Sequence, residues 1–181
     1  MKRLLLSLIL LLGSVNIAHA RSHRSHHTTH RVEPIALPPL NMIRIAKAAN
    51  RRCLASAVWH EARSENSHPI NQVLVADAII SRSGLKAFGP TPCSVVAQTT
   101  RYHHKLIRQF SWSGTPGRIN DLVAYKHAMD IVNKRISYFS KHPHRSPYLF
   151  FSTGRASPGI AYSRVRNIGS FHWFIPKRTV M

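Results

Sequence analysis

Carboxyl groups are the scarcest reactive side chains in this sequence. Its 181 residues include six Asp and Glu against 26 Lys and Arg. Glu33 lies in a polar, Pro-containing segment, whereas Asp121 and Asp130 lie on a helical pattern where capping or solvated roles are ordinary. Acid/base chemistry by a carboxyl group therefore has three candidate positions near the apolar part of the chain, which are Glu61, Glu65 and Asp77.

Glu61 has the setting that a proton-donating carboxyl group requires. It follows Ala57-Val58-Trp59-His60 near the expected C-terminal end of a helix. Burial and the negative end of the helix dipole both disfavour a carboxylate, so we expect a raised pKa, which Arg63 would oppose if it lay close. An acid that stays protonated near neutral pH suits cleavage of a glycosidic bond. Taken alone, however, a Glu on a helix is more often a solvated charge.

Other catalytic motifs are incomplete or missing from the sequence. His60-Glu61 starts an H-E-x-x-H zinc-protease pattern, but Ser64 stands where the second His belongs. There is no G-x-S-x-G, P-loop or G-x-G-x-x-G motif. Cys53 and Cys93 lack the spacing of a zinc site, and they are expected to form either one disulfide or two buried thiols. We expect neither a metal nor a cofactor.

The elements that must position Glu61 are mostly helical. Good helix formers without Pro or Gly predict one or two helices over 42–64. A second helix is predicted over 67–82, capped by Ser67 or His68, with a short one over 92–98 and a long one over 120–136. Aromatic runs at 148–151 and 172–175 favour strands. The expected fold class is α+β, a mostly helical single domain with a small β or irregular part near the C-terminus.

The first 41 residues are expected to lie outside the catalytic domain, which we place at 42–181. A basic start, an apolar run and Ala18-His19-Ala20 predict a signal peptide over 1–20, and hence export to the periplasm or the extracellular space. Residues 21–41 form a basic His- and Pro-rich linker without apolar residues to bury in its first half. Its histidines either form part of a soluble tether or bind a transition metal; they are His23, His26, His27 and His30.

Removing residues 1–20 leaves 24 Lys and Arg against six acids, a net charge of about +18 with neutral His. Such a field attracts polyanions in general, including nucleic acids and envelope polymers. The basic residues are scattered and no nucleic-acid motif is present, so no specific nucleic-acid partner is expected. We expect a monomer without a transmembrane segment after removal of the signal peptide.

Six motifs in order resemble the SleB-like cell-wall hydrolases, the family of the spore-cortex-lytic enzymes. The opening motif of the family, C-L-A-x-x-V-Y-x-E-A-R-G-E, is similar to residues 53–65. Its G-Q-x-A-V-A-x-V-I-L-N-R is similar to residues 71–82, T-V-C-G-V-V-Y-Q to residues 91–98, and Q-F-S-W to residues 109–112. Later L-Y-F…P and I-G-x-H-x-F elements resemble residues 149–158 and 168–174.

The resemblance implies a small lysozyme-like α+β fold and a peptidoglycan substrate. Members of the family cut the bond between N-acetylmuramic acid and N-acetylglucosamine, typically as lytic transglycosylases, and the essential Glu of E-A-R corresponds to Glu61. Residues Gln109, Ser111 and Trp112 are expected to line the sugar groove, because sugars bind an aromatic face flanked by hydrogen-bonding groups. Tyr148 and Phe151 are further candidates, with surface or core packing as the alternative.

The chain also departs from the family pattern. Ser64 replaces the usual Gly, Asn71 replaces the Gly before Gln72, Ser81 replaces Asn, and Phe150 and Ser152 replace a common Tyr and His. Arg108 stands where many members have Cys, which removes one partner for Cys93 and weakens the case for a disulfide. His172 is displaced by one residue. These differences indicate an altered substrate pocket or reduced activity.

A lytic transglycosylase needs one carboxyl group, whereas a hydrolase needs a second. Glu65 is the near candidate for the second group if the helix persists to that residue, and an ion pair with a neighbouring Arg is the alternative. The scarcity of acids favours the one-carboxyl route. Two rival functions remain, a hydrolytic muramidase on the same scaffold and a non-enzymatic basic module that binds anionic envelope polymers.

Overall fold

The structure, a computed structural model, describes residues 38–65, 67–102, 104–114, 118–153 and 162–177. Helices dominate this part of the chain, and two small antiparallel sheets complete a mixed α+β fold, which confirms the expected fold class. The expected signal peptide, the linker up to residue 37 and Pro158 lie outside the described residues. No helix among the described residues is long and apolar enough to cross a membrane.

The helical predictions are confirmed, with different ends. The described residues contain five α-helices, which are α1 (Met42–Ile45), α2 (Ala48–Ala62), α3 (Ile70–Arg82), α4 (Pro92–Val96) and α5 (Leu122–Lys141). The helical pattern from 42 to 64 thus divides into two helices, and α5 continues beyond the predicted end at 136. Asp121 caps α5 by accepting a hydrogen bond of 2.9 Å from the Ala124 N–H, as its position predicts.

Helix α3 packs against α2, α4 and α5 in the helical part. It is buried on nearly every side, so apolar and polar side chains alike are removed from water. The predicted start is wrong, because the helix begins at Ile70 with Pro69 as its N-cap residue and no side chain caps it. Ser67 instead hydrogen-bonds the neighbouring ring of His68.

Two sheets contain strands that the sequence did not predict. Strand β1 (Thr99–Tyr102) pairs with β2 (Lys105–Arg108) in a hairpin whose second strand is exposed on both faces, so it shows no apolar alternation. The other sheet has the order β3-β5-β4, with β3 (Phe150–Thr153) and β4 (Tyr162–Ile168) on either side of β5 (Phe171–Pro176). The predicted aromatic runs correspond to β3 and β5, and the polar strand β4 was missed.

Two tertiary links fix the ends of the helical part. Cys53 and Cys93 form a disulfide that joins α2 to α4, which decides between the bridge and the free thiols. At the start of the described chain, Leu40 is buried, and the Arg145 guanidinium donates to the carbonyl oxygens of Pro38 and Pro39. The end of the expected linker is therefore part of the folded unit.

The disulfide should stabilise the fold mainly by restricting the unfolded chain. It closes a loop with a sequence separation of 40 residues, for which the chain-entropy argument gives roughly 2–4 kcal/mol. We expect Cys53→Ser/Cys93→Ser to lower the midpoint of thermal unfolding by several degrees relative to the oxidised protein. Calorimetry with and without reductant tests this, and an equal midpoint for the two proteins would contradict it.

Candidate active site

Glu61 lies in the last turn of α2, where the helix leaves the core. The neighbouring residues Ala57, Val58 and Ala62 are fully or almost fully buried, and the Glu61 side chain is half-buried. The helix ends at Ala62, so the carboxyl group stands at the negative end of the helix dipole, as the sequence predicts.

The Glu61 carboxyl group has a specific hydrogen-bond donor in Trp112. The indole Nε1–H of Trp112 donates to Glu61 Oε1 over 2.8 Å. Trp112 belongs to a short 3-10 turn, Ser111–Gly114, that follows β2 and is closed by a hydrogen bond from Ser113 Oγ to the Phe110 carbonyl oxygen. Phe110 is buried in the core and anchors this turn.

Burial raises the pKa of Glu61 above its ordinary value. Two weaker effects oppose the rise, because the Trp112 hydrogen bond and the positive charge of Arg82 both stabilise the carboxylate. The opposing cation is therefore Arg82 rather than Arg63, whose guanidinium lies 4.0 Å from the ring centre of Trp59. The pKa of Glu61 is thus raised by burial, while its carboxylate form retains Trp112 as a hydrogen-bond donor.

His60 completes the immediate surroundings of Glu61. Its ring stacks on Trp112 with 4.3 Å between centroids and 12° between planes, and meets the edge of Trp59 at 4.5 Å. Burial, and then the charge of Arg63, lower the pKa of His60, so its neutral form is favoured. A neutral stacked imidazole orients the indole that serves Glu61 without adding a charge beside it.

The guanidinium of Arg82, at the end of α3, lies beneath this region with 3% of the residue exposed. It donates to the carbonyl oxygen of Leu149 and, over 3.4 Å, to Gln109 Oε1. Burial lowers the pKa of Arg82 to about 10, which leaves it positively charged at neutral pH. Sequence reasoning treated Arg82 only as part of a motif, although it follows Val75, Ala78 and Ile79 on the buried side of α3.

The candidate substrate residues lie at different distances from Glu61. Trp112 contacts it directly, the half-buried Gln109 connects to the site through Arg82, and Ser111 is exposed beside Trp112. Phe151 packs against Phe110, Phe171 and Trp173 with ring centroids 5.3–6.1 Å apart, as its alternative core role predicts.

Tyr148 is half-buried and packs beside Trp173, with 6.1 Å between ring centroids. None of its described contacts reaches Glu61 or Trp112. Its position therefore favours the packing alternative over a direct role at the carboxyl group.

Glu65 does not form a second carboxyl group on the helical face of Glu61, because α2 ends before it. Its oxygens accept hydrogen bonds from Ser170 Oγ at 2.5 Å and Asn71 Nδ2 at 3.0 Å, and His68 lies 4.0 Å away. The expected ion pair with an Arg is absent from the described residues. The close approach of Glu65 to the turn at 169–170 requires Gly169, since a Cβ there would lie 2.5 Å from Glu65 Oε2.

The remaining acids of the described chain have other partners or positions. Asp77 forms a two-pronged ion pair with Arg135, with N–O distances of 2.6 and 2.9 Å. Asp121 caps α5, and Asp130 lies on the same helix. Glu61 is therefore the described carboxyl group that combines burial, an aromatic donor and an accessible neighbourhood.

An open groove of about 470 Å³ is lined in part by Trp112. Side chains spaced three and four residues apart on α2 line one side, and α4 and the turn containing Trp112 line the rest; they include Ala49, Arg52, Cys53, Ser56, Cys93, Val96 and Ser113. A more apolar cavity of about 640 Å³ lies near Phe88 and Tyr162, and its described lining includes neither Trp112 nor Glu61. The groove is connected to Glu61 through Trp112, which lines the groove and donates to the Glu61 carboxyl group.

The described residues contain no cluster of three His, Cys, Asp or Glu side chains that could hold a metal ion. The four histidines of the linker lie outside the described part of the chain.

No protein-family model, curated protein or solved structure matches the chain. The resemblance to the SleB-like cell-wall hydrolases accordingly rests on the sequence motifs, and the lysozyme-like arrangement stays a prediction.

Proposed function

We propose that the protein cleaves peptidoglycan strands between N-acetylmuramic acid and N-acetylglucosamine, as an exported lytic transglycosylase with Glu61 as its acid and base. The observation that carries the proposal is the half-buried Glu61 carboxyl group, whose pKa is raised by burial and whose hydrogen-bond donor, Trp112, also lines an open groove. The motif resemblance supplies the substrate class.

The reaction needs one proton to leave and return to Glu61. The protonated carboxyl group donates its proton to the glycosidic oxygen, and the bond from that oxygen to the anomeric carbon of the muramic acid breaks. The resulting carboxylate then removes the proton from the C6 hydroxyl group of the same sugar, whose oxygen bonds to the anomeric carbon and closes a 1,6-anhydro ring. Trp112 stabilises the carboxylate between the two steps through its N–H.

The positions of the other acids favour this route over hydrolysis. A hydrolytic muramidase would need a second carboxyl group close to the scissile bond. Glu65 binds the turn between β4 and β5, and Asp77 is paired with Arg135. Neither of them is free to activate a water molecule beside Glu61.

The groove fits a carbohydrate strand better than a compact apolar ligand. Trp112 and Ser113 provide an aromatic group and a hydroxyl group in its lining, and Ser56 adds a second hydroxyl group. Arg52 contributes a positive charge that complements the carboxylates of peptide stems on the glycan. Strand sugars lying along α2 would reach Glu61 where the groove meets Trp112.

Replacing the acid tests the catalytic role of Glu61. We expect Glu61→Gln to reduce the release of fragments from purified peptidoglycan by about 100-fold or more, because the amide cannot donate the proton. Glu65→Gln is the matched control, since it removes the other nearby carboxyl group and should retain cleavage. Wild-type rates in the Glu61 variant, with folding verified by circular dichroism, would contradict the proposal.

The chemical form of the products distinguishes the three candidate functions. We expect mass spectrometry of digested peptidoglycan to show 1,6-anhydro ends, which weigh one water less than reducing ends. Reducing ends would instead indicate the hydrolytic muramidase. Salt-sensitive binding to peptidoglycan without any cleavage would indicate the basic binding module.

The pH profile tests the link between Trp112 and Glu61. Raising the pH through the pKa of Glu61 removes its acid form, so activity should fall on the alkaline side of that pKa. Trp112→Phe removes a hydrogen bond that lowers the pKa of Glu61. We therefore expect the alkaline limb of the kcat/KM profile to move to higher pH by ~0.5–1 unit.

Trp59→Phe provides the matched control for this measurement. The Trp59 indole N–H is buried and has no acceptor among the described residues, so its removal should leave the alkaline limb in place. An alkaline limb that stays at the same pH or moves to lower pH in Trp112→Phe would show that this hydrogen bond does not influence the protonation of Glu61.

A further inference from the structure

We propose that Arg82 is a positioning residue for this site, because it holds the segment 109–112 where the Trp112 indole can reach Glu61. The inference concerns the geometry of the folded protein. Only its consequence for catalysis rests on the proposed function.

The buried position of Arg82 requires a specific environment. A buried cation normally has a carboxylate partner, and no ion pair of Arg82 occurs among the described residues. Four aromatic rings surround its guanidinium instead, with centroid distances of 4.3–5.9 Å; they belong to Phe88, Phe110, Phe150 and Phe151. Aromatic faces attract a guanidinium and limit where it can lie.

Two contacts join Arg82 to the segment that carries Trp112. Its guanidinium donates to Gln109 Oε1 over 3.4 Å and lies 5.9 Å from the ring centre of Phe110. Phe110 in turn meets the edge of Trp112 with 6.0 Å between centroids. Because these contacts are at the first two residues of the segment, they set the direction in which the 3-10 turn begins.

A third contact ties the same guanidinium to the far side of the fold. Arg82 Nε donates to the carbonyl oxygen of Leu149, immediately before β3. Arg82 therefore joins α3, the start of the larger sheet and the segment before the 3-10 turn through one rigid planar group. A Lys at this position would keep the charge but could not hold both acceptors in the same fixed geometry.

The influence of Arg82 on the site can be measured through the pKa of Glu61. Trp112 and Arg82 lower the pKa of Glu61 against the effect of burial. His60, on the same helix, has a pKa lowered by burial and by the charge of Arg63, so the neutral form of His60 is favoured. Losing Arg82 should remove its own charge and also disturb the Trp112 hydrogen bond. Both changes move the pKa of Glu61 in the same direction, upward.

The test is a titration of the Glu61 carboxyl carbon by NMR in the free, full-length protein, with the Trp112 indole N–H signal as a second readout. We expect Arg82→Met to raise the pKa of Glu61 by about one pH unit and to shift the indole signal. Arg82→Lys should retain part of the electrostatic effect but still shift the indole signal. Gln109→Met removes the acceptor for Arg82 together with a 3.4 Å hydrogen bond from Gln109 Nε2 to Thr100 Oγ1. It should produce a smaller change and tests the proposal even if Arg82→Met does not fold.

Arg145→Met is the matched control for a merely structural role. Arg145 also donates to backbone oxygens, at 2.8 Å to Ser83 and 2.6 Å to Pro38, but has no described contact with the segment 109–112. The Arg145→Met substitution should lower the midpoint of thermal unfolding and leave the pKa of Glu61 and the Trp112 indole signal unchanged. The same result for the Arg82 and Gln109 variants would overturn the inference.

Cleavage assays on the same proteins separate this inference from the proposed function. We expect Arg82→Lys to reduce kcat by about tenfold while KM changes little, as for a misplaced catalytic group. If no variant and no wild-type protein cleaves peptidoglycan but the pKa still moves, the proposed function fails and the positioning role stands. If the wild-type protein cleaves and the pKa stays fixed in the Arg82 and Gln109 variants, the positioning role alone fails.

Discussion

The burial of one guanidinium group is the constraint on which the rest of this structure depends. Removing an ion from water costs several kcal/mol unless other groups replace its hydration. For Arg82 those groups come from the loop after α3, the segment after β2 and the start of β3, as aromatic rings and backbone or amide oxygens. These parts of the chain are far apart in sequence, so satisfying the charge requires them to converge.

The same convergence sets the chemistry of Glu61. Burial alone would favour a permanently neutral acid, which could donate a proton but would be a poor base afterwards. The indole N–H of Trp112 and the charge of Arg82 oppose the burial effect, although the pKa remains raised. A change of one pKa unit corresponds to about 1.4 kcal/mol, so contacts of modest energy can shift the protonation of this carboxyl group.

Glu65 stabilises the fold instead of acting as a second carboxyl group beside Glu61. Asn71 Nδ2 donates both to Glu65 and to the carbonyl oxygen of Ile168, while its side-chain oxygen accepts from the buried indole of Trp173. This network fastens the chain after α2 to the larger sheet. The Asn that departs from the family pattern at position 71 thus has a structural role, and Glu65 is occupied within the same network.

The sequence by itself determined the fold class, the main helices, the aromatic strands and the position of Glu61 at a helix end, because hydrophobic periodicity and helix ends are local properties of the chain. It did not determine the hairpin 99–108 or β4, whose exposed polar residues lack apolar alternation. Only the tertiary structure decided that Cys53 bonds Cys93, that Trp112 donates to Glu61 and that Arg82 is buried beneath them. These contacts join residues separated by tens of positions, and which side chains meet depends on how the helices and sheets pack.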